Sequence, residues 1–440
     1  MVQIIALISA LAIIILGIAK LKIHPFFVLL LAAIGYGFLT GMDAQLILDS
    51  INYGFGDLMS KIGLIIFFGV VIGVVMEKSG GALVMANSIL RLIGKKSIHL
   101  AMMLTGYILS IPVFADSALL MMNSLNKVLS KKANVSYAGT TAALALGLTA
   151  THVMVPPTPG PIAAAGILDA DLGSVIGWGV VVSILSLSTC YIFAKKFASR
   201  IQIPYQIEPM VNSSNLPKLW KSLLALIIPI LLIILKSIFD YPGLGLKNHF
   251  PYPIIAFLGT PVIALLIGAI LSLLLPAKLD EKVYSATGWL GEALKISAPI
   301  ILITGAGGIF GKMLQNSGMA EVITDGLSGI QLGLFLPFLL AACLKTAQGS
   351  STVALITTAS IIAPILPALG LDNSILKTMT VLAIGAGSAV VSHANDSFFW
   401  VFTQLTGMTI KQGNQIQTAG TLIFGTTAML VIFIISQIID

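Results

Sequence analysis

Two acids and two histidines lie inside otherwise apolar stretches of this 440-residue chain, and each could bind a proton. They are Asp116, His152, His393 and Asp396. A carboxylate inside a bilayer costs about 2.5 to 3.5 kcal/mol on insertion scales, and burial favours its neutral form, so we expect Asp116, with Asp396 second, to take up a proton. The histidines, with an ordinary pKa of about 6.5, are candidates for a proton relay. Alternatively, each side chain only bonds backbone groups freed by a helix break.

Small polar residues form a second set that could bind an anion. The run QGSST at 348–352 is expected to contact a carboxylate through Gly349, Ser350, Ser351 and Thr352. Free N–H groups and the dipole at a helix N-terminus favour such binding. The alternative is that these small residues only pack helices together. Further expected substrate contacts are Ser117, Thr158, Gly160 and Asn395.

Lys345 is the only cation in the apolar arm that precedes this run. It could attract an anionic substrate, pair with a carboxylate, or extend its amine to the surface. The residues themselves do not decide between these three roles.

Interrupted helices are needed to bring these side chains together. The stretch TATHVMVPPTPGP at 149–161 places four prolines and a glycine in an apolar segment. Lipid cannot satisfy the backbone groups that such a break frees, so it must line a protein cavity. We therefore predict a broken helix at 137–168 and a second at 374–405, around SHANDSFFW. Re-entrant hairpins, which enter and leave on one face, are predicted at 98–130 and 332–370.

A spacing of 238 residues indicates that the chain contains a duplication. GVVIGVVMEKSG at 69–80 aligns with GGIFGKMLQNSG at 307–318, and Gly147 aligns with Gly385. This predicts two inverted-topology repeats, 1–200 and 222–440, joined by a cytoplasmic linker at 201–221, as in secondary transporters. The duplication would also place Asp116 opposite Asp396 and His152 opposite His393.

The composition is that of a membrane protein. Hydrophobic residues make up 57% of the chain and charged residues 9%, against roughly 25% charged residues in a soluble domain. We predict an all-α polytopic protein of the cytoplasmic (inner) membrane. Basic clusters follow alternate spans, which predicts external N- and C-termini under the positive-inside rule. The cations are dispersed over loops, which argues against a nucleic-acid partner.

Four segments resemble the signatures of the gluconate permease (GntP) family: PVFADSA, THVMVPPTPGPIAAA, AQGSSTVA and SHANDSFFW. The resemblance covers essentially the whole chain. It implies a proton-coupled symporter for gluconate-like sugar acids and small hydroxy acids, within the ion-transporter superfamily. Gluconate transporters carry a second aromatic residue where this chain has Ala115. This difference, with Ser117 nearby, leaves open a shorter acid such as glycerate.

The sequence leaves some other functions open and argues against others. A sodium-coupled carboxylate symporter stays open, because carbonyl groups freed at the breaks could bind Na⁺. An anion channel is a further alternative. No phosphate-binding loop, HExxH motif or Cys/His cluster is present, so we predict no enzyme, no bound metal and no cofactor beyond the coupling ion. An enzyme using Ser350, His393 and Asp396 is conceivable. The expected partners are a small anionic hydroxy acid, the lipid bilayer and a second copy in a homodimer.

Overall fold

The computed structural model describes residues 2–93, 97–205, 216–240, 244–248, 250–319, 322 and 332–439. These residues form helices joined by turns and short loops, with no β-strand among them. Residues 206–215 of the predicted linker lie outside the described residues. The prediction of an all-helical chain is confirmed.

The helices before the linker are numbered in chain order. They are α1 (Val2–Ile15), α2 (Pro25–Leu39), α3 (Ala44–Leu58), α4 (Leu64–Lys78), α5 (Gly81–Ile93), α6 (Ile98–Leu109), α7 (Ala115–Lys132), α8 (Tyr137–Met154), α9 (Pro159–Ile167) and α10 (Leu172–Lys196).

The numbering continues after the linker. These helices are α11 (Leu219–Asp240), α12 (Tyr252–Leu258), α13 (Pro261–Ser272), α14 (Glu281–Tyr284), α15 (Trp289–Asn316), α16 (Phe335–Gln348), α17 (Ser351–Ile362), α18 (Ser374–Ala389), α19 (Ser397–Thr406), α20 (Ile410–Gly413) and α21 (Ala419–Ile439).

Several helical stretches are long and apolar enough to cross a membrane. Six of them are found among the described residues, and α12 with α13, bent by 66° at a short break, would form a seventh. The stretches are Ala44–Lys78, Tyr137–Ile167, Leu172–Arg200, Leu219–Asp240, Glu281–Asn316 and Ile410–Ile438. This agrees with a multi-pass membrane protein.

The helical stretch 44–78 is continuous, because α3 runs into α4 through a single π-helical turn, Met59–Gly63. The side chain of Asp43 caps α3 by accepting a hydrogen bond from the N–H of Gln45 at 3.0 Å. Gly54 lies directly against the backbone of α15, where an added Cβ would stand 2.7 Å from the carbonyl oxygen of Gly308. Packing on α15 explains why this polar segment is helical.

Two pairs of short helices and two interrupted helices form the centre of the fold. Helix α6 packs along α8, and α16 packs along α18. The second helix of each pair crosses to the other half of the chain: α17 packs on α9, and α7 packs on α19. Both pairs therefore point their turns towards the breaks.

Local chemistry fixes where these elements stop and start. Helix α8 ends before Pro156 and Pro157, which have no N–H to continue it. Helix α16 ends at Gly349, whose φ of 88° lies in the left-handed region that favours glycine. The next two helices of the site begin at side-chain caps: Ser350 accepts from the N–H of Val353 at 3.3 Å, and Asp396 accepts from the N–H of Phe398 at 3.0 Å.

Candidate functional site

A cavity of about 180 Å³ lies where the turns of both helix pairs meet the second break. Its walls come from α7, α8, α16, α17, the break between α18 and α19, and the start of α21. The lining residues are Phe114, Ala115, Asp116, Thr149, His152, Lys345, Ser350, Ser351, Thr352, Ala389, Ser392, Asp396, Ser397, Phe398, Gln417 and Thr421.

A buried ion pair joins the α16–α17 turn to the second break. The Lys345 ammonium donates to Oδ2 of Asp396 at 2.6 Å, and only 2% and 8% of the two side chains are exposed. Lys345 also donates to the carbonyl oxygen of Gly349. Ser392 adds a third bond by donating its hydroxyl to Asp396 at 2.5 Å. Of the three roles that the sequence left open for Lys345, the structure shows pairing with a carboxylate, and the amine does not reach the surface.

The same turn and break make further contacts outside the cavity. The amide of Asn395 donates to the carbonyl oxygen of Thr346 at 2.7 Å, and Nε2 of His393 lies 3.1 Å from that oxygen. Gly349 lies so close that an added Cβ would stand 2.1 Å from the carbonyl oxygen of Asn395. Gly349, His393 and Asn395 thus hold the turn against the break, and none of them lines the cavity.

Asp116 and His152 present polar atoms that have no protein partner. Oδ1 of Asp116 and Nδ1 of His152 are buried, and neither has a hydrogen-bond partner among the described residues. His152 also lines a smaller cavity beside Pro157 and Thr158. The histidine therefore stands between the main cavity and the first break.

Three helix N-termini face the cavity. Ala115 and Asp116 begin α7, Ser351 and Thr352 begin α17, and Ser397 and Phe398 begin α19. The first N–H groups of a helix have no intrahelical acceptor and carry a partial positive charge. The cavity thus offers donors for an anion next to a lysine whose charge Asp396 already balances.

Three other predicted substrate contacts lie outside the cavity lining. Thr158 donates to the carbonyl oxygen of Val155 at 2.8 Å. Gly160 packs on α17, where an added Cβ would be 2.7 Å from Cδ1 of Leu355. Ser117 follows Asp116 on α7 but is not among the lining residues.

The structure does not place the two acids, or the two histidines, in equivalent positions. Asp116 is the second residue of α7, as Thr352 is of α17, whereas Asp396 immediately precedes α19, as Thr158 precedes α9. His152 belongs to α8, but His393 lies in the loop before α19. The acids differ because Asp116 lies in a helix pair whereas Asp396 lies at a break. The histidines differ because the second break is longer than the first, at 390–396 against 155–158. A Ser350–His393–Asp396 set is not formed either, since Asp396 pairs with Lys345.

Sequence reasoning missed several lining residues. Three of them, Thr149, Ser392 and Ser397, lie within the two segments predicted as broken helices. The other two lie near the last helix: Gln417 precedes α21, and Thr421 lies in its first turn. The sequence offered no clear signal for these two, because the segment at 411–421, KQGNQIQTAGT, is polar for most of its length. Ala115 also lines the cavity, so the departure from the family pattern falls in the site itself.

Proteins of known function with a similar sequence are permeases and transporters. A gluconate permease of Pseudomonas aeruginosa is 31% identical over 450 residues, covering 99% of this chain and 97% of that protein. The D-serine transporter DsdX of Escherichia coli is 30% identical over 441 residues, covering 98% of each. The relatives are transporters, and the chain is accordingly not an enzyme.

The fold and the family are supported separately. The crystal structure of the YdaH transporter from Alcanivorax borkumensis superimposes with a TM-score of 0.68 over 93% of this chain and 98% of that one, at 15% identity, which supports the fold alone. The family model described as GntP family permease matches residues 1–439. With a match along its whole length, this chain belongs to the GntP family of permeases.

Proposed function

We propose that this chain is a secondary active transporter that carries a small hydroxycarboxylate into the cytoplasm together with a proton. The observation that carries the proposal is the buried Oδ1 of Asp116, which has no hydrogen-bond partner among the described residues and lies in a cavity lined by three helix N-termini. Asp116 is proposed as the proton-binding residue and His152 as a relay beside it.

The charges in the cavity explain why proton and anion would bind together. Lys345 and Asp396 balance each other at 2.6 Å, so the ionised Asp116 is the uncompensated charge among the described lining residues. A carboxylate substrate would then meet a like charge in a low-dielectric site, which is unfavourable. Protonation of Asp116 removes that repulsion. Asp396 suits this role less, because it is already bonded to Lys345, Ser392 and a helix N-terminus.

The shape and donors of the cavity favour a small acid. Its volume of about 180 Å³ is below the roughly 300–1,000 Å³ of sites for drug-sized ligands. Ser350, Ser351 and Thr352 are proposed to bind the carboxylate through hydroxyl and backbone N–H groups. The relative named as a gluconate permease supports a sugar acid or a related hydroxy acid.

The proposed inverted duplication would give such a site access from either face of the membrane. Thr189 and Thr427 are 238 residues apart, and their hydroxyl oxygens lie 3.2 Å from each other where α10 and α21 pack. A residue that contacts its own counterpart is expected on a two-fold axis. This contact supports two related units, 1–200 and 222–440.

Uptake by purified protein in proteoliposomes tests the proposed function. A panel of C3 to C6 hydroxy acids is offered with and without sodium, and with and without an inward proton gradient. We expect saturable uptake of at least one acid, counterflow, and accumulation driven by the proton gradient alone. Accumulation that requires sodium would show that Na⁺, and not a proton, is the coupled ion. Flux without saturation or counterflow would indicate a channel.

A zwitterionic amino acid is a second candidate substrate. The relative named as a D-serine transporter and the free Oδ1 of Asp116 favour it, because an ionised Asp116 could accept hydrogen bonds from an ammonium group. D-serine added to the same panel separates the two candidates. D-serine uptake that moves no protons, without transport of any hydroxy acid, would favour the amino acid.

A further inference from the structure

The side-chain amide of Gln417 lies in the wall of the cavity without a hydrogen-bond partner among the described residues. Its side chain lines the cavity and the residue is only 1% exposed. Neither Nε2 nor Oε1 has a hydrogen-bond partner among the described residues. A buried polar group without a partner destabilises the folded state. Solvent or a ligand in the cavity therefore has to supply these bonds.

The backbone around Gln417 is fixed to the second break. Gln417 belongs to a π-helical turn, Asn414–Thr418, that leads into α21. Thr418 donates its hydroxyl to the carbonyl oxygen of Ser392 at 2.5 Å, and Thr421 accepts from the N–H of Ser392 at 3.1 Å. Such turns are frequent at functional sites. The backbone that carries the amide is thus attached to the same break that carries Asp396.

The chemistry of an amide restricts what it can recognise. Its NH₂ donates and its carbonyl oxygen accepts, whereas an ionised carboxylate only accepts. A carboxylate would leave Oε1 without a donor, and a methylene group would satisfy neither atom. One hydroxyl group, or two on neighbouring carbons, can accept from Nε2 and donate to Oε1.

We propose that Gln417 recognises a hydroxyl group of the substrate while the helix N-terminus at Ser350–Thr352 binds its carboxylate. This inference rests on the proposed function and deepens it, because it makes the hydroxyl group a requirement for transport. An acid without that hydroxyl leaves both amide atoms unpaired when it displaces water. Sites built to bond a hydroxyl reject analogues that lack it.

The test compares matched acids in proteoliposomes containing the wild type or Gln417→Leu. Glycerate is paired with lactate and with 3-hydroxypropionate, and gluconate with its 2-deoxy analogue. In the wild type, the acid of each pair that carries the additional hydroxyl group, glycerate or gluconate, should have the higher kcat/KM. In Gln417→Leu this preference should fall about tenfold or more for the pair that differs at the recognised hydroxyl.

Gln415→Leu is the matched control. Gln415 lies in the same turn but is exposed and does not line the cavity, so its replacement should leave the preference unchanged. An unchanged preference in Gln417→Leu, with transport retained, would overturn the role of Gln417 and leave the proposed function standing.

A conservative variant covers the case in which Gln417→Leu does not fold. Gln417→Asn keeps the amide but shortens its reach, and it should weaken the preference to an intermediate degree. A folded Gln417→Asn protein with the wild-type preference would contradict the inference. A wild type that transports none of these acids would refute the proposed function and the role of Gln417 with it.

Discussion

Lys345 shows how a single buried charge can hold together two elements of the proposed transport site. Its ammonium bonds Asp396 and the carbonyl oxygen of Gly349, so the α16–α17 turn and the second break are held together. Two helix N-termini are thereby kept side by side at the cavity. The ion pair contributes no net charge, which leaves Asp116 to determine how the cavity responds to an anion.

Removal of Lys345 should strongly destabilise the protein. Lys345→Met leaves Asp396 buried without a counter-charge, and breaking a buried pair in this way costs about 3–5 kcal/mol. The measurement is the unfolding midpoint of the purified protein under denaturant. The double variant Lys345→Met/Asp396→Asn should recover much of the loss.

Lys61→Met is the control for this prediction. Lys61 pairs with Asp57 at 3.1 Å, but the two side chains are 48% and 60% exposed, so the loss should stay below about 1 kcal/mol. Equal losses in Lys345→Met and Lys61→Met would contradict the structural role assigned to the buried pair.

At the scale of residues, the sequence predicted which side chains line the cavity better than it predicted which of them bond to each other. Polar groups within apolar stretches identified Asp116, His152 and the 350–352 run, all of which line the cavity. The pairing of Lys345 with Asp396 depends on the distance between two turns 51 residues apart, which no local pattern encodes. Gln417 was missed because it stands among other amide side chains, Gln412, Asn414 and Gln415, and nothing in the sequence sets it apart from them.

The turn between α16 and α17 depends on close contact with the break, and Gly349 tests this. In Gly349→Ala the new Cβ would stand 2.1 Å from the carbonyl oxygen of Asn395, in addition to the cost of a positive φ. Gly370→Ala is the matched control, since Gly370 has a φ of 67° and open space around it.

The control should lose only about 1–2 kcal/mol of stability from the left-handed backbone. Gly349→Ala should lose clearly more and should also reduce transport, because the turn must move away from Asn395. Equal thermal stability and equal transport in the two variants would show that the turn is not held against the break.

At the scale of helices, proline and glycine patterns were more informative than periodicity. The proline run at 156–161 indicated the first break because proline cannot donate an N–H, and α8 and α9 lie on either side of it. Helix pairs α6–α7 and α16–α17 occupy the segments predicted as hairpins. That each pair enters and leaves on one face stays a prediction. The helical start at Ala44 was not predictable locally, since it depends on packing against α15.

Labelling of two surface positions tests the inverted arrangement of the whole molecule. Lys132 is the last residue of α7 and Asp372 precedes α18, and both are exposed. In a Cys343→Ser background, in which the remaining Cys190 is buried, an impermeant thiol reagent should label Asp372→Cys in intact cells. Lys132→Cys should react only after permeabilisation. Labelling of both positions from one face would contradict inverted repeats. If Lys132→Cys instead reacted from outside and Asp372→Cys only after permeabilisation, the repeats would stand and only the predicted orientation of the termini would be reversed.

At the scale of the molecule, composition was sufficient for the class of protein. With 9% charged residues, the chain could only be a polytopic membrane protein, and the matched family and fold agree with this. The duplication, the side of the termini and a homodimer depend on relations between distant parts or copies of the chain. They stay predictions, supported for the duplication by the contact between Thr189 and Thr427.

Asp116 is proposed to couple proton binding to substrate binding, and proteoliposomes with an imposed inward proton gradient test this coupling. The quantity to measure is the ratio of internal to external substrate that they reach, for the wild type and for Asp116→Asn. We predict accumulation well above equilibrium for the wild type and a ratio near one for Asp116→Asn, with substrate counterflow preserved because the neutral amide resembles the protonated acid. Uphill accumulation by Asp116→Asn equal to that of the wild type would contradict the account.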